Sequence, residues 1–186
     1  YKTMRITEED FKSEYILRAL KEDENVKTFS CGDEDLDDYI LNESSVYTKA
    51  LLSSTHVVIN KHTHQVAAYF SLANDKLSVN EFNSNSEFNR FRKKRFQHEK
   101  MLKSYPAVKL CRLGIATTEK GKGLGSFLLS VVFGMFTTQK NSGCRFVTVD
   151  AYKTAVPFYE KNGFDLLTKK ESRSDTLPLY FDLASF

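Results

Sequence analysis

The 186-residue sequence has few of the residues that separate domains, and it lacks the long apolar runs that cross membranes. It contains three prolines and no Gly/Ser tract, which predicts one domain over residues 1–186 without an interdomain linker. No apolar run approaches the roughly 18 residues that a bilayer-spanning helix needs, and no basic-then-apolar stretch resembles a signal peptide. We therefore expect a cytoplasmic protein that does not enter a membrane.

Residues that bind metals are also scarce. Cys31, Cys111 and Cys144 are odd in number and share no metal-ligand spacing. The four histidines form no H-x-x-x-H or H-E-x-x-H pair. We therefore expect reduced thiols and no bound metal.

Glycine is limited to eight residues, yet three of them alternate within one short segment. Gly121-Lys122-Gly123-Leu124-Gly125 follows a β-type stretch, Val108–Ala116, and precedes a helix with one apolar face. Because glycine lacks a Cβ atom, the N–H groups of this turn can approach an anion closely. The helix start adds unpaired N–H donors, and Lys120 and Lys122 add positive charge. The segment Lys120–Ser126, called the cradle below, is therefore predicted to bind a pyrophosphate.

The spacing of the cradle separates three kinds of phosphate site. A P-loop needs four residues between its first glycine and a Gly-Lys-Ser/Thr, and a dinucleotide site needs G-x-G-x-x-G with an acidic residue about twenty residues on. Neither pattern is present. The cradle resembles motif A of the GNAT family of N-acetyltransferases, Q/R-x-x-G-x-G/A, which binds coenzyme A. Lys120 stands where that family usually has Gln or Arg.

A second motif of the same family follows in the expected order. Arg145–Ala151 alternates apolar and polar residues and is predicted to be a strand. The helical segment after it resembles the family's motif B, A-x-x-F-Y-x-x-x-G-F, at Ala155, Phe158, Tyr159, Gly163 and Phe164. The family often has Asn at the position of Tyr152, so the contact made by that Asn is not expected here.

The resemblance implies a fold and a chemistry. The fold is α/β (α+β): a mixed, mostly antiparallel sheet with helices on both faces, in which the strands containing Leu113 and Tyr152 splay apart. Acetyl-CoA is the implied co-substrate, and Tyr159 is the implied general acid for the leaving thiolate. The implied acetyl-CoA contacts are Leu113, Gly114, Ile115, Lys120, Gly121, Lys122, Gly123, Leu124, Gly125 and Ser126.

The strand before the cradle has no carboxylate that could act as a general base. Val108–Ala116 carries only Lys109 and Arg112 as charged residues. A lysine amine, with a pKa of about 10.4, needs a base at neutral pH, whereas an α-amino group at about 7.7–8.0 is already partly neutral. The strand therefore favours an α-amino acceptor, although a water relay or Asp150 could serve as the base.

A finer resemblance covers the chain from about Phe29 onward. Its segments are Phe29–Gly32, Asp35–Ile40, Tyr69–Ala73, Tyr105–Val108 and Arg112–Ile115. They are similar to a GNAT subgroup that contains the acetyltransferase toxins of toxin–antitoxin modules, which acetylate aminoacyl-tRNA. The resemblance implies a tRNA acceptor, an antitoxin partner and a homodimer. A protein or small-molecule amine, or a non-catalytic acyl-CoA-binding module, remains as an alternative.

Positive charge is concentrated in one part of a chain whose net charge is only +3. Ser84-x-x-Glu87 resembles a capping box, so a helix is predicted to begin near Asn85 within a variable insertion over residues 74–105. Its basic residues could bind RNA phosphates or form a solvated face above buried aromatics. These candidates are Arg90, Arg92, Lys93, Lys94 and Arg95.

Spacing of the apolar residues predicts the remaining elements. We expect a helix over Glu8–Leu20 and another over Asp33–Leu52. Thr55–Ile59 and Gln65–Leu72 are predicted to form an antiparallel hairpin. A helix with one buried face is expected after the cradle.

Overall fold

The structure is a computed structural model, and it describes residues 6–96, 101–138, 142–168 and 174–186. The helices are α1 (Glu8–Glu14), α2 (Glu34–Asp38), α3 (Ser44–Lys49), α4 (Asn85–Arg95), α5 (Leu124–Thr138) and α6 (Val156–Lys161). A π-helical turn, Tyr39–Glu43, joins α2 to α3. The strands are β1 (Tyr15–Ala19), β2 (Ser54–Asn60), β3 (Val66–Ser78), β4 (Ser104–Ile115), β5 (Phe146–Tyr152), β6 (Asp165–Leu166) and β7 (Thr176–Asp182).

The strands form one seven-stranded sheet in the order β1-β2-β3-β4-β5-β7-β6. The pairs β1–β2, β2–β3, β5–β7 and β6–β7 are antiparallel, whereas β4 and β5 are parallel. The parallel ladder joins Ala107–Lys109 to Phe146–Thr148, although β4 continues to Ile115 and β5 to Tyr152. This mixed, mostly antiparallel sheet with a splayed strand pair and flanking helices confirms the predicted fold class.

The chain divides into two compact units, and β3, β4 and α5 each contribute to both. The first unit comprises residues 1–73 and 110–132. Its largest buried side chains include Tyr39, Ile40, Val57 and Tyr69, which pack in one cluster. On α1, the ring of Phe11 stacks on Phe127 of α5 with 4.4 Å between the ring centroids.

The second unit comprises residues 74–109 and 133–186, and its core is rich in aromatic rings. Phe96 and Tyr105 stack with centroids 4.1 Å apart, and the Phe146 ring packs edge-on against both. The Ser84 hydroxyl accepts a hydrogen bond from the Glu87 N–H and caps α4, which begins at Asn85 as predicted. This helix covers the aromatic core.

Two expectations about local structure need correction. The predicted helix over Glu8–Leu20 is wrong in its second half, because α1 ends at Glu14 and Tyr15–Ala19 forms an edge strand. The β1–β2 ladder overrides the helical spacing there. In addition, β3 extends to Ser78, beyond the predicted strand end at Leu72. Within the described ranges, no helix is long and apolar enough to cross a bilayer.

Candidate active site

The cradle has the backbone conformation that its glycines suggest. Gly121 and Gly123 have φ angles of +81° and +82°, a left-handed conformation that disfavours any residue with a Cβ atom. A Cβ on Gly121 would meet no atom within 4 Å, so the turn leaves open space above its backbone. The Phe127 N–H donates to the Gly123 carbonyl, so the N–H groups of residues 124–126 precede the helical ladder. The cradle therefore presents backbone donors toward free space.

Both lysines of the cradle already have partners within the first unit. The Lys120 Nζ donates to the Cys31 carbonyl at 2.6 Å, and the Lys122 Nζ lies 2.7 Å from the Glu119 Oε2. Each ammonium has three protons, so each retains donors for a bound anion. The lysines are therefore tethered at the edges of the turn while both remain exposed to solvent.

Glu119 is a buried residue of the site that sequence reasoning missed. It is 6% exposed, and its carboxylate accepts hydrogen bonds from the Tyr15 hydroxyl at 2.7 Å and the Asn60 amide at 3.2 Å. Burial raises its pKa, but the hydrogen bonds from Lys122, Tyr15 and Asn60 outweigh burial and lower the pKa overall. Glu119 is therefore an ionised anchor that connects the cradle to β1 and β2.

Gly114 has a packing role in the strand before the cradle. A Cβ there would lie 2.6 Å from the Tyr69 Cε1, closer than real contacts allow, and 3.3 Å from the Phe29 Cε1, which is a tight contact. Tyr69 is fully buried and donates its hydroxyl proton to the Leu36 carbonyl at 2.6 Å. Leu113 and Ile115, which flank Gly114 in the strand, remain partly exposed. Only a residue without a side chain fits at position 114.

A pocket of about 790 Å³ adjoins the cradle within the first unit. Thr117, Thr118 and Lys122 line it from the cradle side, and Lys27 and Phe29 line it from the segment before α2. Hydroxyl and ammonium groups are donors that suit phosphate oxygens. The cradle therefore lies beside a cavity large enough for part of a nucleotide-sized ligand.

Tyr159 lies on α6 of the second unit and is buried between aromatic rings. Its ring packs edge-on against Phe158 and Phe164, with centroids 5.1 Å and 5.3 Å away. Burial is the cause that raises its pKa to about 12, and within the described part of the chain its hydroxyl makes no hydrogen bond. The hydroxyl therefore stays protonated at neutral pH and retains its proton for donation.

The comparison with protein families bears on both motifs. Residues 97–179 match the family model described as an acetyltransferase (GNAT) domain. The matched segment contains β4, the cradle, β5 and the helix that carries Tyr159. This segment is therefore similar to a GNAT acetyltransferase domain.

Solved structures agree with the GNAT fold over almost the whole chain. A bacterial toxin superposes with a TM-score of 0.76 at 16% identity, covering 92% of each chain. AtaT complexed with acetyl-methionyl-tRNAfMet gives 0.72 at 20% identity, covering 92% of this chain and 96% of that one. A tyrosine-to-phenylalanine mutant of the AtaT toxin, bound to acetyl-CoA and the C-terminus of the antitoxin AtaR, gives 0.69 at 19%, covering 92% and 95%.

The basic residues of α4 fall into two groups. Arg95 donates to the Tyr180 hydroxyl at 2.7 Å and pairs with Asp182 at 3.1 Å, while Arg92 donates to the Leu102 carbonyl at 2.9 Å. Both guanidinium groups also lie over aromatic rings of the helix. The second group consists of Arg90, Lys93 and Lys94, whose side chains are exposed. The sequence offers no reason to separate the five residues, whereas the structure shows Arg92 and Arg95 engaged in packing.

Proposed function

We propose that this protein is an N-acetyltransferase that moves an acetyl group from acetyl-CoA to a primary amine, with residues 1–186 acting as one domain. The observation that carries the proposal is the cradle, in which left-handed glycines and a helix start present N–H donors to open space. These donors suit the pyrophosphate of coenzyme A. The AtaT complex described above contains acetyl-CoA, which supports the same co-substrate.

The proposed binding mode uses β4 and the cradle together. The pantetheine amides pair with backbone groups of β4 near Leu113 and Ile115, as an added strand would. The pyrophosphate is held by the N–H groups between Gly121 and Ser126, with Lys120 and Lys122 supplying further donors. Gly114 serves by keeping β4 packed on Tyr69.

In the proposed reaction, the amine attacks the thioester carbonyl directly. A backbone N–H of β4 stabilises the negative charge that develops on the carbonyl oxygen. The carbon–sulfur bond breaks, and Tyr159 provides the proton that the leaving sulfur requires. Burial supports this role because it keeps the Tyr159 phenol neutral across the physiological pH range.

The acceptor that we propose is the α-amino group of an aminoacyl-tRNA. The strand before the cradle lacks a carboxylate, and an α-amino group depends least on a strong base. The exposed Arg90, Lys93 and Lys94 provide a basic surface for RNA phosphates. AtaT has been solved with an acetylated aminoacyl-tRNA and with its antitoxin, and we propose a toxin role with an antitoxin partner in the cytoplasm, with a homodimer as its assembly.

Turnover of acetyl-CoA tests the reaction itself. The wild-type protein is incubated with acetyl-CoA and charged tRNA, and the release of free thiol is measured. We expect Tyr159→Phe to bind acetyl-CoA normally and to lower the rate by about 10²–10⁴-fold, the range for losing a positioned acid. Tight binding of acetyl-CoA with no turnover by the wild type would favour a non-catalytic acyl-CoA-binding module instead.

Labelled acetyl-CoA with total charged or deacylated tRNA tests the acceptor. Label should appear only on charged tRNA, and equal labelling of both would refute the proposal. Replacing Arg90, Lys93 and Lys94 by Gln should weaken tRNA binding and reduce the slope of log Kd against log salt by about 2–3. Replacing the exposed lysines 12, 21 and 49 makes the same charge change elsewhere and should leave that slope unchanged.

A further inference from the structure

The sheet face covered by α4 becomes polar just beyond the aromatic core of the second unit. On β5, Phe146 is buried in that core, and the next residues on the same face are Thr148 and Asp150. The Thr148 hydroxyl donates to the Asp75 carboxylate of β3. The Asp150 Oδ2 lies 2.5 Å from the Nζ of Lys109 on β4. Three strands thus contribute to one polar group of side chains.

The ion pair lies where the parallel ladder stops. Lys109 and Thr148 are the last paired residues of the β4–β5 ladder, and Asp150 follows two residues later on β5. The Lys109 side chain thus reaches past the last backbone pair to hold a carboxylate on the neighbouring strand. In the proposed function, the pantetheine arm binds along β4 beyond this point.

We propose that Asp150 is the general base for the acceptor amine and that Lys109 positions its carboxylate. This inference rests on the proposed function. The acceptor ammonium transfers one proton to Asp150, and the free amine forms the carbon–nitrogen bond. The carbon–sulfur bond breaks with its electron pair on sulfur, which takes the Tyr159 proton. The proton lost from the new amide nitrogen restores Tyr159, and the Asp150 proton passes to solvent.

Position and exposure single out Asp150 among the acidic residues of this face. Its side chain is 51% exposed, so an amine can reach it, and its backbone is held by pairing with Pro178 of β7. Lys109 of β4 is its ion-pair partner, and two other titratable groups lie against Thr148, two residues earlier on β5: Asp75 of β3 and Tyr180 of β7. Asp75 is already engaged by Thr148, and the Tyr180 hydroxyl by an arginine of α4.

Asp75 provides a matched control, because Asp75→Asn removes the same charge from the same face. We compare kcat/KM for aminoacyl-tRNA, which offers an α-amino group, and for a peptide acceptor with a lysine amine between pH 6 and 9. For the lysine amine, Asp150→Asn should lower kcat/KM at pH 7 by about 10³-fold, and the loss should shrink about tenfold per pH unit as more free amine is present. For the α-amino acceptor, the loss should be only about tenfold at pH 7 and should nearly vanish above pH 8. Asp75→Asn should stay within about threefold of the wild type, since it leaves the proposed base in place.

Two further variants separate catalysis from damage to the fold. Asp150→Glu should recover part of the activity. Lys109→Met should lower kcat/KM by less than Asp150→Asn does, because the base stays in place but loses the ammonium that positions it, and Lys109→Arg should restore the rate. Acetyl-CoA binding by Asp150→Asn shows that the variant is folded. This inference is overturned if kcat/KM of Asp150→Asn runs parallel to that of the wild type across the pH range, or if Asp75→Asn loses as much kcat/KM as Asp150→Asn. A wild type that transfers no acetyl group to any acceptor overturns the proposed function instead.

Discussion

Gly114 offers a direct test of whether packing or acetyl-CoA contact requires glycine before the cradle. In Gly114→Ala the new methyl would lie 2.6 Å from the Tyr69 ring, which is fully buried. The ring has little room to move, because Phe29 and Tyr39 pack against it with centroids 5.4 Å and 6.0 Å away. The clash must therefore be relieved by displacing Tyr69 or β4.

The expected cost follows from two contributions. Overpacking a close-packed core costs about 1–3 kcal/mol. Displacing Tyr69 also weakens its 2.6 Å hydrogen bond to the Leu36 carbonyl, which is worth about 1 kcal/mol. We expect the free energy of unfolding to fall by about 2–4 kcal/mol, which lowers the melting temperature by about 5–15 °C.

Urea unfolding and thermal melts measure this loss, and Gly134→Ala is the matched control. Gly134 lies within α5, and a Cβ there meets nothing within 4 Å. Alanine should therefore stabilise the helix by about 0.5–1 kcal/mol. A Gly114→Ala protein as stable as the wild type would refute the packing argument. If it also failed to bind acetyl-CoA, the glycine would be required by the ligand.

Two further predictions concern pH. Because the pKa of Glu119 is lowered by folding, its ionised form stabilises the protein above its ordinary pKa of 4.5, and that stability is lost as pH falls through the folded value. Glu119→Gln should cost about 1–3 kcal/mol at pH 7 in urea unfolding, with a smaller cost at pH 3.5. Burial raises the pKa of Tyr159 to about 12, so stability present below pH 10 is lost as pH rises toward 12. In Tyr159→Phe, the free energy of unfolding should therefore fall less steeply between pH 10 and 12, by about 1.4 kcal/mol per pH unit. Thermal melts that show the same alkaline loss of stability in wild type and variant would contradict this prediction.

The cradle could be predicted from sequence because its geometry is decided locally. Alternate glycines adopt left-handed φ angles that other residues avoid, and the helix after them needs no distant partner to begin. The start of α4 is also local, since Ser84 caps the helix three residues before Glu87. By contrast, Tyr15–Ala19 has helical spacing but pairs with β2, about forty residues away, so no local pattern could identify it.

Glu119 escaped prediction for the same reason. Its hydrogen-bond partners Tyr15 and Asn60 lie 104 and 59 residues away in sequence. A glutamate followed by Lys120 in a glycine-rich turn has the composition of a solvated loop. Similarly, the sequence could not separate Arg95 from Lys93, since the partner Asp182 is 87 residues from Arg95.

These distant contacts change how the cradle recognises an anion. Glu119 offsets the charge of Lys122, and the Cys31 carbonyl holds Lys120, so neither lysine is an unrestrained cation. The remaining donors are the backbone N–H groups, whose direction is set by the φ angles of Gly121 and Gly123. Backbone donors lose little entropy on binding, because folding has already ordered them. In the proposed function, anion recognition by the cradle therefore depends first on backbone geometry, and the lysines adjust its strength.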